Sequence, residues 1–137
     1  MKRFMIAAAL TLTSTAAFAA GHAMAPAVMA MDQDVSNGVV SAEKVVAGAN
    51  GWMVVHRTDD TGKPGVVVGH APLRMGENAD VAAILTEDVK PGEKLMLMVH
   101  SEDGGMQTGI FEYTLGAKED GPVKPDGKLV MQVITAK

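Results

Sequence analysis

Apolar and polar residues alternate in short runs along most of the chain. Glycine, proline, asparagine and aspartate separate the runs. Valine, methionine, threonine and the few aromatics concentrate in segments 35–46, 52–58, 66–73, 80–85, 93–100, 108–114 and 128–135. Each has the length and alternation of a half-buried strand. Between them lie turn signals: Asn50-Gly51, the glycine- and proline-bearing 59–65 stretch, Gly76-Glu77-Asn78, Pro91-Gly92 and the 101–105 loop. Seven short strands and no convincing helix predict an all-β fold, an antiparallel immunoglobulin-like β-sandwich. A small open barrel is the competing architecture. Segment 53–59, MVVHRTD, is echoed by 97–103, LMVHSED. Both read as an apolar strand that ends in histidine, with aspartate three residues later.

The first residues have a different character. Met1-Lys2-Arg3 is a short basic start, residues 4–16 are uncharged and mostly apolar, and Ala17-Phe18-Ala19 places small residues three apart. That order is a secretory signal peptide, residues 1–19, with cleavage expected after Ala19. The apolar run falls short of the ~20 residues that span a bilayer. Residues 20–31, rich in alanine, methionine and proline, read as a flexible leader, and 32–137 as one domain. The expected location is the periplasm or the exterior, with no membrane span in the mature chain.

Charge and composition then narrow the function. Losing two basic residues with the signal takes the formal charge from −4 to −6. An acidic domain without a basic cluster is no nucleic-acid binder. With no cysteine there is no disulfide, no thiol nucleophile, no zinc-thiolate site and no blue-copper centre. Methionine is abundant: nine of the eleven follow the signal, against three aromatics, Trp52, Phe111 and Tyr113.

Several segments together resemble a known family. They are Asp32-Gln33, GWMVVH at 51–56, Pro64-Gly65, Gly69, Leu73, Gly76, the strand ending in His100, Asp103-Gly104, Phe111 and DGPV at 120–123. The chain is similar through them to a domain-of-unknown-function family of secreted and surface proteins of bacteria and archaea. GWMVVH and DGPV are the most specific parts. The resemblance implies an all-β sandwich and export, and carries no activity.

The candidate chemistry rests on histidine and methionine. On a strand over 93–100, Met96, Met98 and His100 share one face and Leu95, Leu97 and Val99 the other. Thioether and imidazole donors suit copper, Cu(I) in particular. The alternative is that both methionines pack in a core and His100 caps the strand. Both faces of a sandwich strand cannot face one core, so Met96 and Met98 are either exposed or covered by another part of the chain. His56 and His100 meet if their strands are neighbours. With Asp59 and Asp103 they would form a mixed nitrogen–oxygen site for zinc or Cu(II); otherwise each histidine bonds a loop carboxylate. His70, in Gly69-His70-Ala71-Pro72, reads as a turn residue. Cleavage after Ala19 would expose Ala20-Gly21-His22, whose amine, amides and imidazole suit square-planar Cu(II). The metal candidates are therefore His22, His56, Met96, Met98, His100 and Asp103. The acidic pairs Asp59-Asp60, Glu102-Asp103 and Glu119-Asp120 lack the spacing of a calcium loop and read as solvated turns. Signatures of hydrolases, zinc proteases, phosphate loops and dinucleotide sites are missing from the sequence. The reading is an exported, non-enzymatic β-sandwich module, structural or binding a protein or envelope partner. The alternative is a periplasmic copper-handling protein.

Overall fold

The structure, a computed structural model, describes residues 24–137. The expected signal segment, its cleavage point and His22 lie outside the described residues. Among the described residues seven strands form: β1 (Ala27–Met29), β2 (Val39–Ala47), β3 (Gly51–Thr58), β4 (Val67–Leu73), β5 (Gly76–Ile84), β6 (Lys94–Ser101) and β7 (Met131–Thr135). They pair antiparallel into a three-stranded sheet, β1-β2-β5, and a four-stranded sheet, β4-β3-β6-β7. The two sheets make the expected sandwich. Among the described residues no helix is long and apolar enough to cross a membrane.

Three expectations change. Gly76-Glu77-Asn78, read as a turn, is the paired start of β5. The stretch read as leader holds β1, where Ala27 and Val28 pair with Val46 and Val45. Val28 is buried in the core, and this apolar contact is what orders the segment. Segment 108–114 is not a strand. Phe111 and Tyr113 produce its alternation because both turn toward the protein, without a partner strand to bond the backbone between them. Beyond β1 the chain crosses between sheets: Gln33 bridges Ala136 in parallel, and the Asp32 carboxylate accepts the Thr135 N–H at 2.8 Å. The Gln33 amide bonds the backbone N–H and carbonyl of Ser41, tying this crossing to β2.

The core between the sheets is aliphatic. Val40, Ala42 and Val45 of β2 face Met53 and Val55 of β3, Leu95, Leu97 and Val99 of β6, and Ile134 of β7. Yet β3 is buried from Gly51 to His56 and β6 from Leu95 to His100, on both faces. The second face needs its own cover. The long connection between β6 and β7 lies there, laying Phe111 and Tyr113 over the outer face of the four-stranded sheet. Methionines 96 and 98 are thus buried, outside the inter-sheet core.

Candidate functional site

The register of β3 with β6 lays out the outer face. Trp52 is opposite His100, Val54 opposite Met98, and His56 opposite Met96. An antiparallel pair has a local two-fold axis, here passing between Val54 and Met98. That axis carries His56 onto His100 and Met53-Val54-Val55 onto Leu97-Met98-Val99, which is the echo in the sequence. The histidines start two rows apart and lean toward the axis from either side. Their Nε2 atoms meet at 3.2 Å. Ring centroids are 5.3 Å apart, so the rings touch tip to tip through those nitrogens. Both side chains are fully buried.

Each ring is held from behind by a backbone carbonyl. His56 Nδ1 is 2.8 Å from the Gly65 oxygen, and His100 Nδ1 is 2.6 Å from the Asp120 oxygen. A carbonyl oxygen only accepts, so both Nδ1 atoms carry a hydrogen and donate. In neutral rings both Nε2 atoms are then bare and point their lone pairs at each other. The count is general: three contacts, carbonyl to ring, ring to ring and ring to carbonyl, require three hydrogens, and two neutral imidazoles bring two. The third contact must be bridged by an added proton or a metal ion. Burial resists the proton. Desolvation lowers the pKa of His56, against the Gly65 hydrogen bond. It pushes His100 down to about 4, helped by the neighbouring His56 and opposed by the Asp120 carbonyl and charge.

The segments singled out in the sequence assemble this arrangement. GWMVVH supplies His56, and Pro64-Gly65 its carbonyl. Gly65 also donates its N–H to the Arg57 carbonyl at 2.7 Å, folding the loop back on β3. DGPV supplies the carbonyl behind His100 and runs beside β6: Ser101 N–H bonds Gly121 O, and Val123 N–H bonds Val99 O, each at 2.9 Å. Asp120 adopts a left-handed φ of 45°, tolerated by aspartate. Its buried carboxylate accepts the backbone N–H groups of Asp103 and Glu112, at 3.1 and 2.8 Å, closing the covering loop at both ends. Gly51 lets β3 approach β6, since a Cβ there would collide with the His100 carbonyl.

Aromatic rings roof the site. Tyr113 packs edge-on against His100 and His56, with centroids at 4.5 and 5.9 Å. Phe111 lies against Trp52 at 5.5 Å and stacks on His70 at 4.5 Å. His70 is therefore a strand residue of β4 joined to the aromatic cover, not a turn residue. The Trp52 indole Nε1 is buried with no hydrogen-bond partner among the described residues.

Of the expected metal set, the structure gathers His56, His100, Met96 and Met98 on one buried face. It does not bring Asp103 to them: among the described residues no three histidine, aspartate or glutamate side chains converge as a metal group. The two-fold explains this, because Asp59 and Asp103 follow the histidines off opposite ends of the strand pair. Asp59 bonds Thr61 and Asp60 pairs with Lys94. Neither histidine bonds a carboxylate; backbone carbonyls take that place. Sequence reasoning missed Gly65 and Asp120 as carbonyl acceptors, because a backbone acceptor leaves no residue-type signal.

No curated protein and no solved structure matches this chain. Residues 26–137 match the family model described as Domain of unknown function (DUF7282), from β1 to the C-terminus and including every segment of the site, and the chain belongs to that family.

Proposed function

We propose that this chain is an exported, non-enzymatic β-sandwich module that binds copper, as Cu(I), between His56 and His100. The single observation that carries the reading is the head-on pair of bare Nε2 atoms at 3.2 Å in a site that resists protonation. With metal–nitrogen distances of about 2.0–2.1 Å, as for zinc, the ion lies off the line between the nitrogens, at an angle of about 100°, and both rings tilt to aim their lone pairs at it. The angle leaves coordination positions open. Met98 occupies the row between the two histidines and Met96 lies opposite His56. A thioether beside two imidazoles, with no carboxylate gathered, favours a soft ion over zinc or calcium. The carbonyls behind each Nδ1 fix the tautomer that leaves Nε2 free to coordinate, the role such partners play around ligating histidines.

The test is an anaerobic competition titration of the mature protein against a chromogenic Cu(I) chelator. It is run on wild type, His56→Gln, His100→Gln and His22→Ala, with circular dichroism to confirm folding. Trp52, the one tryptophan, sits opposite His100 and reports occupancy by fluorescence. One equivalent held with submicromolar affinity, lost in His56→Gln and His100→Gln and kept in His22→Ala, supports the reading. Failure of the folded wild type to compete, or binding lost only in His22→Ala, overturns it. In either case the domain stands as a structural or partner-binding module of the envelope.

A further inference from the structure

The buried pair needs a path to solvent, and the sheet register supplies one. β7 continues the outer face beyond β6, and Met131 is the direct cross-strand partner of Met98. Cross-strand neighbours have Cβ atoms about 4.5–5.5 Å apart, within reach of two flexible thioethers. The row therefore reads Met131, Met98, Val54 from the edge of the sheet inward. Exposure falls steeply along it: Met131 is 38% exposed and Met98 1%. On the opposite flank Trp52, Phe111 and His70 pack against one another. The β7 edge is the exposed end of the row.

We infer that Met131 and Met98 form a thioether intake for Cu(I), with Met131 taking the ion at the surface and passing it through Met98 to the His56–His100 pair. The inference rests on the proposed copper reading and specifies how that site is loaded. Each step is a ligand exchange. Cu(I) leaves a solvent-side donor for the Met131 sulfur, then shares Met98, then gains the two Nε2 atoms. No electron moves, and the thioethers carry no proton to release. Methionine suits the outer position because its side chain swings between solvent and site without changing charge.

Stopped-flow Trp52 fluorescence after mixing the mature protein with Cu(I)–chelator complex tests the path. Met131→Leu keeps volume and apolar character at a half-exposed site, and Met106→Leu, in the covering loop but 91% exposed and outside the row, serves as control. Uptake roughly tenfold slower in Met131→Leu, with equilibrium affinity nearly unchanged and Met106→Leu at the wild-type rate, supports the intake. In wild type labelled with 13C-methyl methionine, substoichiometric Ag(I), a redox-inert substitute, should shift the Met131 and Met98 methyl signals. Unchanged uptake in Met131→Leu, or an unmoved Met131 methyl, overturns the intake while the histidine-dependent binding stands. An affinity loss in Met131→Leu as large as in His100→Gln would make Met131 a resident ligand and also overturn it. Absence of Cu(I) binding in wild type removes the copper reading and the intake together.

Discussion

Strands β3 and β6 carry two faces built from different chemistry. Inward, Met53, Val55, Leu95, Leu97 and Val99 join an aliphatic core shared by both sheets. Outward, Trp52, Val54, His56, Met96, Met98 and His100 lie under a loop. The inner face is closed by a second sheet, a partner with its own ladder of backbone bonds. The outer face is closed by irregular chain, fastened by one buried carboxylate and a short run of bonds along DGPV. The inner face therefore supplies stability. The outer face holds the two buried histidines, and its irregular cover should open more readily than the sheet-to-sheet core.

The largest effect that separates the faces comes from the inner one. Leu97→Ala should cost about 2–5 kcal/mol in chemical denaturation, while the fraction still folded binds copper normally. A loss of binding in the folded fraction would show that the faces are not separable. Next, Asp120→Ala strands the N–H groups of Asp103 and Glu112 and should cost about 2 kcal/mol. Hydrogen exchange should rise across the 102–122 loop and stay slow in β2 and β5. Uniform acceleration would mean the loop belongs to the same cooperative unit as the core.

The third effect is pH dependence. His100 in the folded state sits near 4, below the ordinary 6.5, so between those values the unfolded chain binds the proton the folded chain refuses. Stability is full above 6.5 and falls as the pH drops toward 4; His56, lowered in the same direction, adds to the slope. Melting temperatures across that range should fall with acidity in the apo protein and flatten in His100→Gln. A level wild-type profile would mean the pair already shares a third proton near neutrality. The smallest effect belongs to the far sheet: Glu77→Gln breaks an exposed pair with Lys44 at 3.6 Å and should change stability by less than about 0.5 kcal/mol.

The inner face was legible in the sequence, because alternation and turn residues are local signals. The loop was not. In 108–114 the alternation is genuine, with Phe111 and Tyr113 both turned inward, yet periodicity reports which side chains are covered and says nothing about whether the backbone has a partner. The leader was misread for the reverse reason: β1 is three residues long, and its alanine and proline setting carries no strand signal. At the site, His56, Met96, Met98 and His100 were legible from their spacing and from the repeated MVVH/LMVH pattern. Met131 was not, because its role depends on the β6–β7 register. Asp120 was visible as part of an acidic turn and of the DGPV segment, with no role attached, although its carbonyl and carboxylate both organise the site.

His56 and His100 are 44 positions apart in the chain. An ion held between them would close that stretch into a ring, joining two strands of one sheet. A chain without cysteine would thereby gain a reversible cross-link, made and broken by metal supply instead of by oxidation. Closing a loop of that length removes on the order of 4 kcal/mol of unfolded-chain entropy. On the proposed copper reading, metal supply would then set how long the fold survives, as well as whether the site is filled.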